Sequence, residues 1–178
     1  MSNVTPLLSS VTANAALRSL GTDQLAALSS DQLAALGTAQ VNALTAAQIQ
    51  SLSSDDLNAF SSAQFRALNS AQLSAISSDQ MRTLSSEDLA ALSSAGLRGL
   101  RAEQLAALGT EQIVAMGSQQ FAVLGDKQLN GLNTLQMSGL EAEDLAAIST
   151  KALLALNSIQ LGALAADNIE ALGTAQVA

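Results

Sequence analysis

The chain has no cysteine, histidine, tryptophan or tyrosine, one proline, and three phenylalanines in 178 residues. Each absence removes a class of chemistry. Without cysteine there are no disulfides, thiolate metal ligands or thiol nucleophiles. Without histidine or tyrosine the remaining acids and bases are separate carboxylates, and no serine has an evident base beside it. These gaps predict a protein that is not an enzyme and holds no cofactor or metal ion. Short acidic groups such as Asp55-Asp56, Glu87-Asp88 and Glu141-x-Glu143-Asp144 occur, but the glycine-aspartate nonapeptide of calcium-binding β-rolls does not.

Basic residues are scarce as well: seven Lys and Arg against fifteen Asp and Glu, a formal net charge of -8. No basic cluster could neutralise phosphates, so nucleic acid and anionic membrane are not expected partners. No apolar run approaches the roughly 18 residues of a membrane span, which predicts no membrane insertion. The opening MSNVTPLLSS lacks the basic start of a secretory signal peptide.

What is present is a phrase of eight residues, repeated. From Leu20 the chain reads LGTDQLAALSSDQLAALGTAQVNAL, and some twenty such units follow without insertion or deletion. Counting the first Leu as position 1, that position runs Leu20, Leu28, Leu36 through Phe60, Ile76 and Met116 to Leu172 and is always apolar. Position 6, from Leu25 and Leu33 through Phe65 and Phe121 to Val177, is apolar too, and position 8 is small. In a helix, position 6 and the next position 1 lie about 60° apart on one face. In a strand they would point to opposite faces. One continuous helix is excluded, because eight residues at about 100° overshoot two turns by about 80° and the apolar stripe would wind round the axis.

The predicted fold class is therefore all-α, a solenoid of about twenty 8-residue units, each a very short helix capped by Ser, Thr or Gly. Residues 1–19 are expected to form a degenerate N-terminal capping segment with a first weak repeat, and residues 20–178 the octapeptide-repeat solenoid. Two registers fit. In the first, Gly or Asn at position 2 ends one helix in the left-handed conformation and Ser or Thr at position 3 caps the next. In the second, position 2 is itself the N-cap, so that Ser29-x-x-Gln32 becomes a capping box. Both put the acidic residues of position 4, such as Asp23 and Asp31, in the first helical turn.

Position 5 is the most uniform polar site: Gln24, Gln32, Gln40, Gln48, Gln64, Gln72, Gln80, Gln104, Gln112, Gln120, Gln128, Gln136, Gln160 and Gln176. A residue repeated this often reads as structural, a ladder whose amides bridge backbone groups left open at helix ends, within a unit or to the next. The competing reading faces the ladder towards a repetitive ligand such as a glycan. Gly96 and Ala152 break the ladder, and LSSAGLRGLRAEQL around Gly96 is the expected site of an irregularity or bend. Arg66, Arg82 and Arg98 share position 7 at intervals of sixteen, so that a coil of two octads would align them in a surface stripe.

The octads LSSDQLAA, LGTAQVNA, LTAAQIQS and LGTEQIVA resemble the L-[ST]-T-x-Q-[VIL]-x-A repeats found in tandem in long bacterial proteins, many of them secreted or surface-attached and adhesin-like. The resemblance implies a structural or adhesive repeat region, with extracellular or cell-surface placement preferred, and carries no catalytic residues. Two functions follow. The first is a rigid rod, stalk or filament-forming element that associates end to end with itself, motivated by the unbroken phase and by the ending GTAQVA within a unit. The second is a binding module whose regular hydroxyls and glutamines meet a polysaccharide or, in second place, ice.

Overall fold

A computed structural model describes residues 13–170 and Leu172. Among these residues the secondary structure is twenty short helices, which sort into three stacks. The first stack holds α1 (Ala13–Ser19), α4 (Thr38–Ala43), α7 (Ser62–Ala67), α10 (Ser86–Ala91), α13 (Thr110–Val114), α16 (Thr134–Ser138) and α19 (Ser158–Gly162). The second holds α2 (Thr22–Ala26), α5 (Ala46–Ser51), α8 (Ser70–Ala75), α11 (Ser94–Leu97), α14 (Ser118–Phe121), α17 (Ala142–Ala147) and α20 (Ala166–Glu170). The third holds α3 (Ser30–Ala34), α6 (Ser54–Asn58), α9 (Ser78–Thr83), α12 (Ala102–Ala107), α15 (Asp126–Leu129) and α18 (Thr150–Leu153). Each helix packs on the helix three further along the chain. One coil is thus three octads, and the solenoid has three sides. The weak repeat before Leu20 joins the same stack, since α1 packs on α4.

Positions 1 and 6 of all three sides fill the interior. Leu25, Leu33, Val41, Phe65, Met81 and Phe121 are wholly buried at position 6, and Leu28, Leu36 and Leu44 nearly so at position 1. The side chains form one continuous core from Leu17 to Leu164. Phe60 and Phe65 meet edge to face with ring centroids 6.0 Å apart. Helices of four to seven residues do not persist alone in water. Their order comes from burial of about 1.5–3 kcal/mol per large apolar side chain, which requires the coils above and below.

The structure decides between the registers. Position 2 is the N-cap throughout: the Ser29 side chain accepts the N–H of Gln32 with Ser29 at φ -73°, ψ 158°, and Thr45, Ser53, Ser61, Asn69 and Ser77 do the same. The left-handed helix stop expected at position 2 is not formed. No described residue has a positive φ, and Gly21 sits at φ -64°, ψ 155° as an N-cap. A glycine is acceptable there because the Ncap requires only extended backbone and a carbonyl that starts the helix. Helices end instead by tightening: the N–H of position 1 bonds the carbonyl of position 6, as in Leu28 to Leu25 at 3.0 Å and Leu68 to Phe65 at 3.1 Å. Position 1 then turns extended, as at Leu44 with φ -60°, ψ 144°. The helix therefore starts at position 3, one residue earlier than the first register has it, and excludes position 1.

Candidate functional site

The glutamines of position 5 are the most elaborate polar feature. Each lies at N3 of its helix, three residues after the N-cap. Its Oε1 accepts the N–H of position 2: from Thr45 to Gln48 at 2.8 Å, Asn69 to Gln72 at 2.9 Å, and Asn133 to Gln136 at 2.8 Å. That is one half of a capping box. At Gly109, Gly117 and Gly125 the N-cap has no side chain, and only this half is made.

The amide nitrogen does something a capping box does not require. Gln104 Nε2 donates to the carbonyls of Leu73, at 2.8 Å, and Ile76, at 2.6 Å. Gln136 Nε2 donates to Leu105 and Leu108, and Gln160 Nε2 to Leu129 and Leu132. The acceptors lie 31 and 28 residues earlier, at a position 6 and the following position 1, except that Gln80 donates to the second of them alone, Leu52. These carbonyls flank the corner where one helix of the coil below gives way to the next. The carbonyl of position 6 already takes the N–H of position 1, that of position 1 lies past the helix end, and the reaching amide donates to both. From Gln48 to Gln160 the ladder is buried, and each of its amides is committed to backbone. A glycan facing the ladder would find no free amide along that stretch.

Where position 5 departs from Gln, the bridge changes. Asp56 takes the N–H and hydroxyl of Ser53 and has no amide to reach downward. Asp88 accepts the Ser85 hydroxyl at 2.6 Å and that of Ser62 in the coil below at 3.3 Å. Asp144 is buried where a Gln amide would sit. Burial pushes its carboxyl above the usual carboxylate range, an effect opposed by the backbone hydrogen bond from Glu141 and added to by the charges of Glu141 and Glu143. Gly96 has no side chain to reach with, and the coil below closes against it: a Cβ there would lie 2.8 Å from the Leu68 carbonyl oxygen. At Gly99 a Cβ would come within 2.0 Å of the Ser70 carbonyl. The irregularity expected around Gly96 is thus a tighter approach of α11 to α8. Gln40 also makes the capping bond, from Gly37 N–H at 2.7 Å. Gln176 lies outside the described residues.

The arginine stripe is not formed. A coil of three octads puts Arg66 on the first side, Arg82 on the third and Arg98 at the end of α11 on the second. Arg82 pairs with Asp79 at 2.9 Å, both well exposed, a contact worth under about 1 kcal/mol. The alignment that does occur is at position 4 of the third side, where Asp31, Asp55, Asp79, Glu103, Lys127 and Lys151 follow one another, all exposed. Among the described residues no group of acidic side chains is arranged to hold a metal ion, and no helix is long and apolar enough to cross a membrane.

The model of the ALTTAQ repeat matches residues 13–38, 25–54, 50–86, 82–118 and 137–174. The chain belongs to the ALTTAQ repeat family. The ALTTAQ matches cover most of the three-sided stack, including α1 ahead of the regular octads. No curated protein matches the chain. For this ALTTAQ protein, the glutamine of the motif is the residue that joins one coil to the coil beneath.

One feature of the surface has no counterpart in the octad pattern. Leu154, Leu161 and Ile169 are exposed in the last coil, 75%, 42% and 47%. With Leu153, Leu156 and Leu164 they line an apolar hollow at the end of the stack. Position 6 is the most deeply buried place elsewhere, so the sequence alone gives no sign that Leu161 and Ile169 differ from Leu25. Leu135 and Ile159, both 71% exposed, stand three octads apart at position 4 of the first side, and their signal was present: other units carry a charge or a small or polar residue there.

Proposed function

We propose that this ALTTAQ chain is a structural repeat element, a stiff rod or stalk segment whose work is done by its length and its ends. The observation that carries the proposal is the unbroken stack from α1 to α20, in which successive coils repeat the same core and the buried glutamines are committed to the backbone of the coil below. At about 8–10 Å between packed helices, the described coils make a particle on the order of 60 Å long. The exposed apolar side chains of Leu154, Leu161 and Ile169 support self-association of the rod through that surface.

Small-angle scattering of dilute protein, with negative-stain images, tests the shape: an elongated particle of that length is expected, and a compact globule would refute the rod. A glycan array and an ice-recrystallisation assay are expected to give no signal, because the ladder amides are already occupied.

A further inference from the structure

Along the second side, the residue at position 5 changes from coil to coil while the backbone beneath it does not. On α5, α8 and α14 it is Gln48, Gln72 and Gln120, and each amide donates to a position-6 and a position-1 carbonyl of the coil below. On α20 it is Asn168, one methylene shorter, and its Nδ2 still reaches the position-1 carbonyl, that of Leu140. On α17 it is Asp144. The same register puts the carbonyls of Ile113 and Met116 beneath Asp144.

That of Ile113 takes the N–H of Met116 at 3.1 Å. That of Met116 takes no hydrogen bond from any described residue. Above it lies a carboxyl only 5% exposed, so two acceptors share a closed place in which a proton is missing, an arrangement that is costly when both remain unpaired. The two other carboxylates of the ladder escape this. Asp56 and Asp88 are half-buried, and each accepts the hydroxyl of its N-cap serine, Ser53 at 2.7 Å and Ser85 at 2.6 Å. Asp144 has Glu141 at that position, whose side chain makes no cap bond. The elements around it bring no compensating cation close: α14 and α16 carry no charge, α20 carries Asp167 and Glu170, α13 carries Glu111, and Lys151 of α18 is exposed.

We propose that Asp144 is a proton-binding site: its neutral carboxyl donates to the Met116 carbonyl and closes α17 onto α14, and ionisation opens that contact. Asn168 shows that a side chain of this length spans the gap. Burial raises the carboxyl above the ordinary aspartate range, the N–H of Glu141 works against this, and the charges of Glu141 and Glu143 add to it. The closed contact is therefore complete below the ordinary range and lost as pH rises through the raised value. The first side keeps its amide rungs at Gln136 and Gln160 throughout, so the loosening is confined to the second side.

The chain has four methionines, Met1, Met81, Met116 and Met137, so labelling methionine with carbon-13 at the carbonyl gives four signals that can be followed by NMR from acid to neutral pH. The Met116 signal, assigned by its loss in Met116→Leu, is expected downfield at acid pH and to move upfield with the same midpoint as the Asp144 carboxyl, above the ordinary aspartate range. Met81, whose carbonyl is held by the Gln112 amide, is expected to stay in place. In Asp144→Asn, with folding checked by helical circular dichroism, the Met116 signal is expected to remain downfield at every pH. Glu141→Ser supplies the hydroxyl that Asp56 and Asp88 have, and both midpoints are expected to fall together. A Met116 signal that does not titrate, that titrates equally in Asp144→Asn, or that fails to follow the Asp144 midpoint in Glu141→Ser would overturn the proposal.

Discussion

A glutamine at N3 is commonplace as half of a capping box, where its carbonyl does the work and its amide faces water. In this chain the amide is the more consequential half. Removing the side chain from a buried rung leaves the position-1 carbonyl of the coil below without a donor, at about 1–3 kcal/mol, strips the position-6 carbonyl of one of its two donors and frees the N-cap N–H, as for Leu108, Leu105 and Asn133 at Gln136. Gln136→Ala is therefore expected to lower stability by about 2–4 kcal/mol in urea unfolding, and Gln24→Ala, whose amide has no acceptor, by under about 1 kcal/mol. Asp144 makes the complementary case, a carboxylate on an amide's seat. Its folded-state pKa is raised, by burial first. The stability it supports is fully present below the ordinary aspartate range, where folded and unfolded chains both hold the proton. It is lost as pH rises through the raised value. Unfolding midpoints measured from acid to neutral pH are expected to show the wild type falling behind Asp144→Asn as the pH rises, with the two nearly equal at the acid end. The chemistry of these side chains could be read from the sequence, because a uniform Gln has few structural tasks. The address of its acceptors could not: a partner 28 and 31 residues away depends on how many octads close a coil.

At the scale of the octad, everything turns on two adjacent small polar residues. Pairs such as Ser29-Ser30 and Ser61-Ser62 place capping types at both positions 2 and 3, which is why composition left two registers open. Geometry resolves them, since Gln reaches the N–H three residues before it only when position 2 is the cap. Glycines in the unit then fall into different kinds. Gly117 is an N-cap with open space around its missing Cβ, and Gly99 is pressed against Ser70. Gly117→Ser, which adds the absent half of the box, is expected to raise stability by a few tenths of a kcal/mol to about 1 kcal/mol. Gly99→Ala is expected to lower it by about 1–3 kcal/mol through overpacking. Thermal or urea unfolding of both variants checks the contrast, which no general preference of helices for alanine over glycine would produce.

For the whole molecule, helical class and continuous repetition were legible because positions 1 and 6 fit one face only in a helix, and because the phase never slips. Coil size was not, and the arginines at intervals of sixteen pointed to the wrong number, since exposed side chains carry no packing constraint that would tie them to the coil. With three octads to a coil, no unit touches its sequence neighbours as closely as the unit three further on. Stability is then a sum over coil-to-coil contacts. Chains shortened from either end by whole coils are expected to lose denaturant sensitivity, the m-value, in proportion to the coils removed. A sharp loss of all helix on removing one coil would contradict it.

Every rung of the ladder reaches towards the N-terminus. The loop it closes is the same modest length at the tenth rung as at the first, so lengthening the array adds no more distant contact, and its contact order relative to length falls. The direction matters as well as the distance. A chain emerging from the ribosome makes each acceptor carbonyl before the glutamine that will claim it, so a newly finished coil finds its floor already laid and waits for nothing still to be synthesised.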